Sequence, residues 1–123
     1  MQLTMSTLSK TWVFDLDGTL VEHNGYKSGE DKLLPGVKEF WAQIPETDYI
    51  LILTAREIEA KPKTEKFLYE NHIRFDKIIF EMPMGERILI NDDKPSGLPM
   101  AFSVRPKRNE GLADLEINID ETL

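Results

Sequence analysis

An apolar run that stops on two carboxylates constrains this chain most: Thr11-Trp12-Val13-Phe14-Asp15-Leu16-Asp17-Gly18-Thr19-Leu20-Val21. Trp12, Val13 and Phe14 are strand formers with nothing polar between them, which predicts a strand buried on both faces. Asp15 then stands at the carboxyl end of that strand, where open α/β sheets place their ligand sites. Two anionic groups one residue apart repel each other, and burying them requires a cation or hydrogen bonds. A divalent metal held by oxygen ligands is the simplest such cation. Gly18 permits the sharp turn out of the strand.

Further along, the chain alternates between strand and helix patterns. Asn24-Gly25 and Ser28-Gly29 are turn signals, and Val21 to Tyr26 could form a small hairpin over the site. His23 lies in that hairpin, as a solvent-facing loop residue or as a substrate contact. Pro35 suits a first helical turn, and Val37, Phe40, Trp41 and Ile44 make one apolar stripe that Pro45 ends. Tyr49 to Leu53 is a second apolar strand, ending in Thr54-Ala55-Arg56. A helix is expected from Lys61 or Pro62 to about Asn71, with His72 at its C-terminal end. Asp76 to Phe80 is read as a third strand, Arg87 to Ile90 as a fourth and Ala101 to Val104 as a short fifth. Leu115, Ile117 and Ile119 alternate with polar residues as an edge strand would. Met1 to Lys10 is read as a loose lead-in.

This order predicts a three-layer, Rossmann-like α/β domain with a mostly parallel sheet of about five strands and a ligand crevice at the carboxyl strand ends. Three strands end in groups that suit one site: Asp15 with Asp17, Thr54, and Asp92 with Asp93. At 123 residues, 41% of them hydrophobic, the chain is one domain, with a core at about 10–105 and a tail at 106–123. Its 22 acids against 15 bases give a net charge of −7, which disfavours a nucleic-acid backbone as the main partner. A phosphorylated small molecule remains compatible, because a metal and a few local cations can reverse the potential of one cleft. There are no cysteines, so no disulfides or thiolate sites. No signal segment and no membrane-length apolar run appears, so the expectation is a cytoplasmic protein without a membrane partner.

Asp15-Leu16-Asp17-Gly18-Thr19 after an apolar strand resembles the first motif of the haloacid dehalogenase-like superfamily. The resemblance covers about residues 10–105 and implies a Mg²⁺-dependent phosphatase that works through an aspartyl-phosphate. A carboxylate nucleophile splits hydrolysis into two steps, a metal neutralises nucleophile and phosphoryl oxygens, and a second acid serves the leaving group and then water. The resemblance implies Asp15 as nucleophile and metal ligand. It implies Asp17 as general acid/base, with its backbone carbonyl also on the metal. Thr54 is similar to the second motif, whose hydroxyl binds the phosphoryl group, with Ala55 and Arg56 beside it. Asp92 resembles the acid that completes the magnesium site, and Asp93 is the alternative.

The lysine that normally precedes those acids has no match: Glu81-Met82-Pro83-Met84 stands there. Lys94 is the best substitute by position, and Arg56 is another, since its planar fork suits phosphate. Lys77 and Arg87 belong to strand starts, at the wrong end of the sheet unless the Gly85-Glu86 turn brings Arg87 round. Roughly 37 positions separate Asp17 from Thr54, too few for an inserted cap domain. A capless site is open to solvent, which fits a sugar phosphate or a larger phosphorylated substrate, or a homo-oligomer in which a neighbour lends a lid. Two other readings stand beside the enzyme. One is a catalytically silent domain of the same fold that binds a phosphorylated ligand; the other is an unrelated cation-binding structural module.

Overall fold

All 123 residues are described by the computed structural model. In chain order the elements are β1 (Gln2–Met5), β2 (Thr11–Asp15), α1 (Gly25–Ser28), α2 (Val37–Gln43), β3 (Tyr49–Leu53), α3 (Lys61–Glu70), β4 (Lys77–Ile79) and β5 (Glu116–Ile119), with a 3₁₀ turn at Ile58–Ala60 before α3. The strands form two separate parallel sheets. One has the order β2-β3-β4 and the other pairs β1 with β5. The fold is therefore α/β with parallel sheets.

The larger sheet frames the site. Asp15 pairs in register with Leu53, and Leu53 with Ile79, so the carboxyl ends of all three strands lie at one rim. Phe14, Ile50, Ile52 and Ile78 point to one face of this sheet and share a core with Val37, Phe40 and Trp41 of α2 and Leu68 of α3. Phe14 sits 4.4 Å from the Trp41 ring, and Trp12 meets Phe40 edge-on at 5.6 Å, an arrangement aromatic quadrupoles favour. The side chains that alternate with these face the other way. Leu51, Leu53 and Ile79 stay partly exposed there, and Val13 is 51% exposed. The expectation of a strand buried on both faces does not hold for β2.

The expected fourth and fifth strands differ most from the sequence reading. Arg87–Ile90 and 101–104 pair with nothing. Ile88, Leu89 and Ile90 are 83%, 64% and 91% exposed. The edge of β2 away from β3 is consequently free. Conversely, the lead-in forms β1, whose Leu3 and Met5 are buried, and the tail supplies β5, the alternating strand its sequence predicts. Leu112 joins the main core.

Two glycines fix how the tail meets α2. Gly36 precedes the helix with φ +78°, and a Cβ there would lie 2.2 Å from the Ala113 nitrogen. Gly111, with φ +81°, would place a Cβ 2.0 Å from the Pro35 carbonyl oxygen. That oxygen accepts the Leu112 N–H at 2.8 Å. Only glycine allows this approach of two backbones in a left-handed conformation.

Candidate active site

At the rim of β2, the Asp15 carboxylate accepts hydrogen bonds from Thr19 Oγ1 and from Arg87 Nη1, both at 3.1 Å. Its side chain is 40% exposed, so it remains open to a ligand. The turn after it is closed by backbone bonds: Gly18 N–H donates to the Val21 carbonyl at 2.7 Å, and Leu20 N–H to Leu16 at 2.9 Å. Gly18 has φ +88° and packs against Arg108, whose Cγ would lie 3.2 Å from an added Cβ.

Asp17 is held differently. Arg56 donates to both of its oxygens, Nε to Oδ2 at 3.0 Å and Nη2 to Oδ1 at 2.8 Å. The same guanidinium donates to Asp31, Nη2 to Oδ1 at 2.7 Å and Nη1 to Oδ2 at 3.1 Å, and to Thr64 Oγ1 at 2.9 Å. All five N–H groups of Arg56 are thus used. Its charge lies 4.0 Å from the Tyr26 ring centroid, within cation–π range. Burial opposes the charge on Arg56, and the hydrogen bonds and charges of Asp17 and Asp31 outweigh that, so its pKa lies above the ordinary arginine value.

Thr54 follows β3 and is buried; its Oγ1 accepts the Arg56 N–H at 3.1 Å. The hydroxyl therefore fixes the turn that aims Arg56. Thr54 does not line the cleft, whereas Ala55 and Arg56 do.

The cleft has a volume of about 300 Å³, and Asp15, Asp17, Arg56, Arg87, Arg108 and His23 are among its walls. Tyr26 and Lys27 add to it from α1. Four cationic side chains thus face two carboxylates, which makes the cleft a locally cationic pocket on an acidic chain. The backbone N–H of His23 donates to Asn109 Oδ1 at 2.8 Å, and its Nδ1 is buried without a partner. His23 is half-buried in the cleft wall rather than facing solvent freely.

The other expected site residues lie elsewhere. Asp92, Asp93 and Lys94 are exposed, in the unpaired segment beyond Arg87, and none lines the cleft. Lys94 belongs to a tight turn, its N–H bonded to the Leu98 carbonyl at 3.0 Å. No group of three or more histidine or acidic side chains stands close enough to hold a metal ion. The cation beside Asp15 is Arg87, which the 82–86 loop does bring round to the rim. Arg108, Asp31 and Tyr26 join the site without any signal in their own neighbourhood. Arg108 comes from the tail, fixed by the Asn109 N–H bond to the Gly18 carbonyl at 2.9 Å.

Compared with family models, with curated proteins and with solved structures, the chain matches none.

Proposed function

We propose that this protein is a phosphoric monoester hydrolase in which Asp15 attacks the phosphoryl group and forms an aspartyl-phosphate. The observation that carries this reading is Asp15 itself: a half-exposed carboxylate at the carboxyl end of a parallel strand, facing a cleft lined by Arg87, Arg108 and Lys27. A phosphate ester repels an anionic nucleophile, and cations around the cleft offset that repulsion. Arg87 touches both the nucleophile and the open cleft, the position required to hold phosphate and carboxylate together. Asp17 is the acid/base of this reading, two residues on. Both of its oxygens are occupied by Arg56, so proton transfer to the leaving oxygen requires that fork to open at one bond.

Magnesium fits this rim incompletely. Asp15 and the Asp17 backbone offer oxygen donors, but no third acid stands near them, and Arg87 already pairs with Asp15. The metal's role in this reading depends on the acids at 92 and 93 reaching the rim, which would come with the fuller, five-strand sheet of the sequence reading.

The occupied state of Asp17 favours a second reading, a silent domain that binds a phosphorylated ligand. An assay of aryl phosphate hydrolysis with and without Mg²⁺, beside Asp15→Asn and Asp17→Asn, separates the two. The enzyme reading expects turnover in the wild type and none in either variant. Phosphate binding without turnover of any ester, across sugar phosphates and larger phosphorylated substrates, supports the silent domain and refutes the enzyme.

A further inference from the structure

We propose that Asn109 is a positioning residue of the cleft: from the tail it holds His23 so that the imidazole Nε2 donates a hydrogen bond to an oxygen of a bound phosphate. This role needs the cleft to be the phosphate site of the phosphatase reading; it does not need turnover.

Asn109 stands in a left-handed conformation, with φ +64°. Glycine adopts that conformation at less cost, and asparagine is one of the few other residues found in it. What asparagine adds is a side chain. Its Oδ1 accepts the backbone N–H of His23 at 2.8 Å, while its own N–H donates to the Gly18 carbonyl at 2.9 Å. One tail residue thus grips both ends of the 18–23 loop, which follows Asp15 and Asp17. The tail is itself fixed just beyond, where Leu112 enters the core and its N–H meets the Pro35 carbonyl at 2.8 Å. Asn109 is exposed, so core packing does not account for it.

The grip brings two side chains over one turn. A Cβ added to Gly18 would lie 3.2 Å from Arg108 Cγ, and 3.7 Å from both Arg108 Nε and His23 Cβ. Arg108 and His23 therefore flank the bare face of Gly18, next to Asp17, and both line the cleft.

The His23 ring has no hydrogen bond to the rest of the chain. Its Nδ1 is the one buried side-chain nitrogen or oxygen without a partner, and folded proteins seldom leave such a group unpaired without a functional reason. A histidine kept for structure bonds through its ring, whereas this one is tied only at its backbone. Nδ1 is shut inside the wall, so Nε2 is the nitrogen that a ligand can reach. An oxygen of a phosphate dianion only accepts, so the bound state places the ring proton on Nε2.

Asn109→Gly isolates the side chain. It keeps the left-handed backbone and the N–H bond to Gly18, and removes the acceptor for His23. Titrating the full chain with inorganic phosphate in a calorimeter should show affinity weakened by about tenfold, with a similar loss for His23→Ala. The discriminating measurement is the cycle of the two. Because Asn109 acts through His23, Asn109→Gly should change affinity by less than about twofold once His23 is alanine. Urea midpoints check that each variant folds. Nitrogen NMR reads the contact directly: the chain has two histidines, and phosphate should shift the Nε2 resonance of His23 in the wild type. Losses that multiply in the double variant overturn the proposal, since a purely structural Asn109 would not depend on His23. Unchanged affinity in either single variant, or an unmoved Nε2 resonance, also overturns it, and each of these results leaves the phosphate site in place. A wild type that binds no inorganic phosphate overturns the reading of the cleft and the role of Asn109 together.

Discussion

Replacing Arg56 by Met removes one cation from between two carboxylates, and the expected damage can be worked from the geometry. The Arg56 side chain is 1% exposed, Asp31 2% and Asp17 16%. Four hydrogen bonds to charge and one to Thr64 disappear together. Breaking a buried pair by removing one partner typically costs about 3–5 kcal/mol, because the remaining charge is left uncompensated. Here two like charges are left facing each other, so the upper part of that range applies at neutral pH. With a urea slope of about 2 kcal/mol per molar, the midpoint should fall by about 2 M. Trp12 and Trp41 lie in the aromatic core and report unfolding by fluorescence. Arg56→Lys should recover little, because an ammonium cannot fill two carboxylate forks at once. A Met variant within about 1 kcal/mol of wild type, or an Arg56→Lys variant as stable as wild type, would refute the claim that this cluster is held by its central cation.

Three further outcomes are expected. Gly111→Ala should cost about 3 kcal/mol or more by urea unfolding, since strain and a backbone clash combine; Gly97→Ala, at φ +93° with nothing within 4 Å, should cost only the 1–2 kcal/mol or so of the left-handed conformation. Equal losses would show that the Pro35 contact is unimportant. Arg108→Ala should weaken inorganic phosphate by about tenfold in calorimetry, the size of one partly screened charge-assisted contact, and unchanged binding would remove Arg108 from the anion site. Asp120 accepts both the N–H and the hydroxyl of Thr122, which lowers its pKa below the ordinary 3.8. Its small contribution is present above the unfolded pKa and lost as pH falls through the lower folded one, and Thr122→Val should move the NMR titration of Asp120 upward.

Local pattern was legible where local physics decides. Tyr49–Leu53 is a strand with its expected bounds, and the stripe of Val37, Phe40 and Trp41 is a helix against the core. Asp15 and Asp17 stand at the rim, and Arg56 stands beside them. What was not legible needed long-range partners. Met1 to Lys10 has no strong pattern, yet β1 forms because β5, more than a hundred residues later, pairs with it. Arg108 has no local cue at all; it reaches the cleft because Asn109 bonds to Gly18. Arg87–Ile90 has the composition of a buried strand and remains unpaired. Its pattern is local, whereas pairing needs a strand edge brought beside it, and none is in this fold.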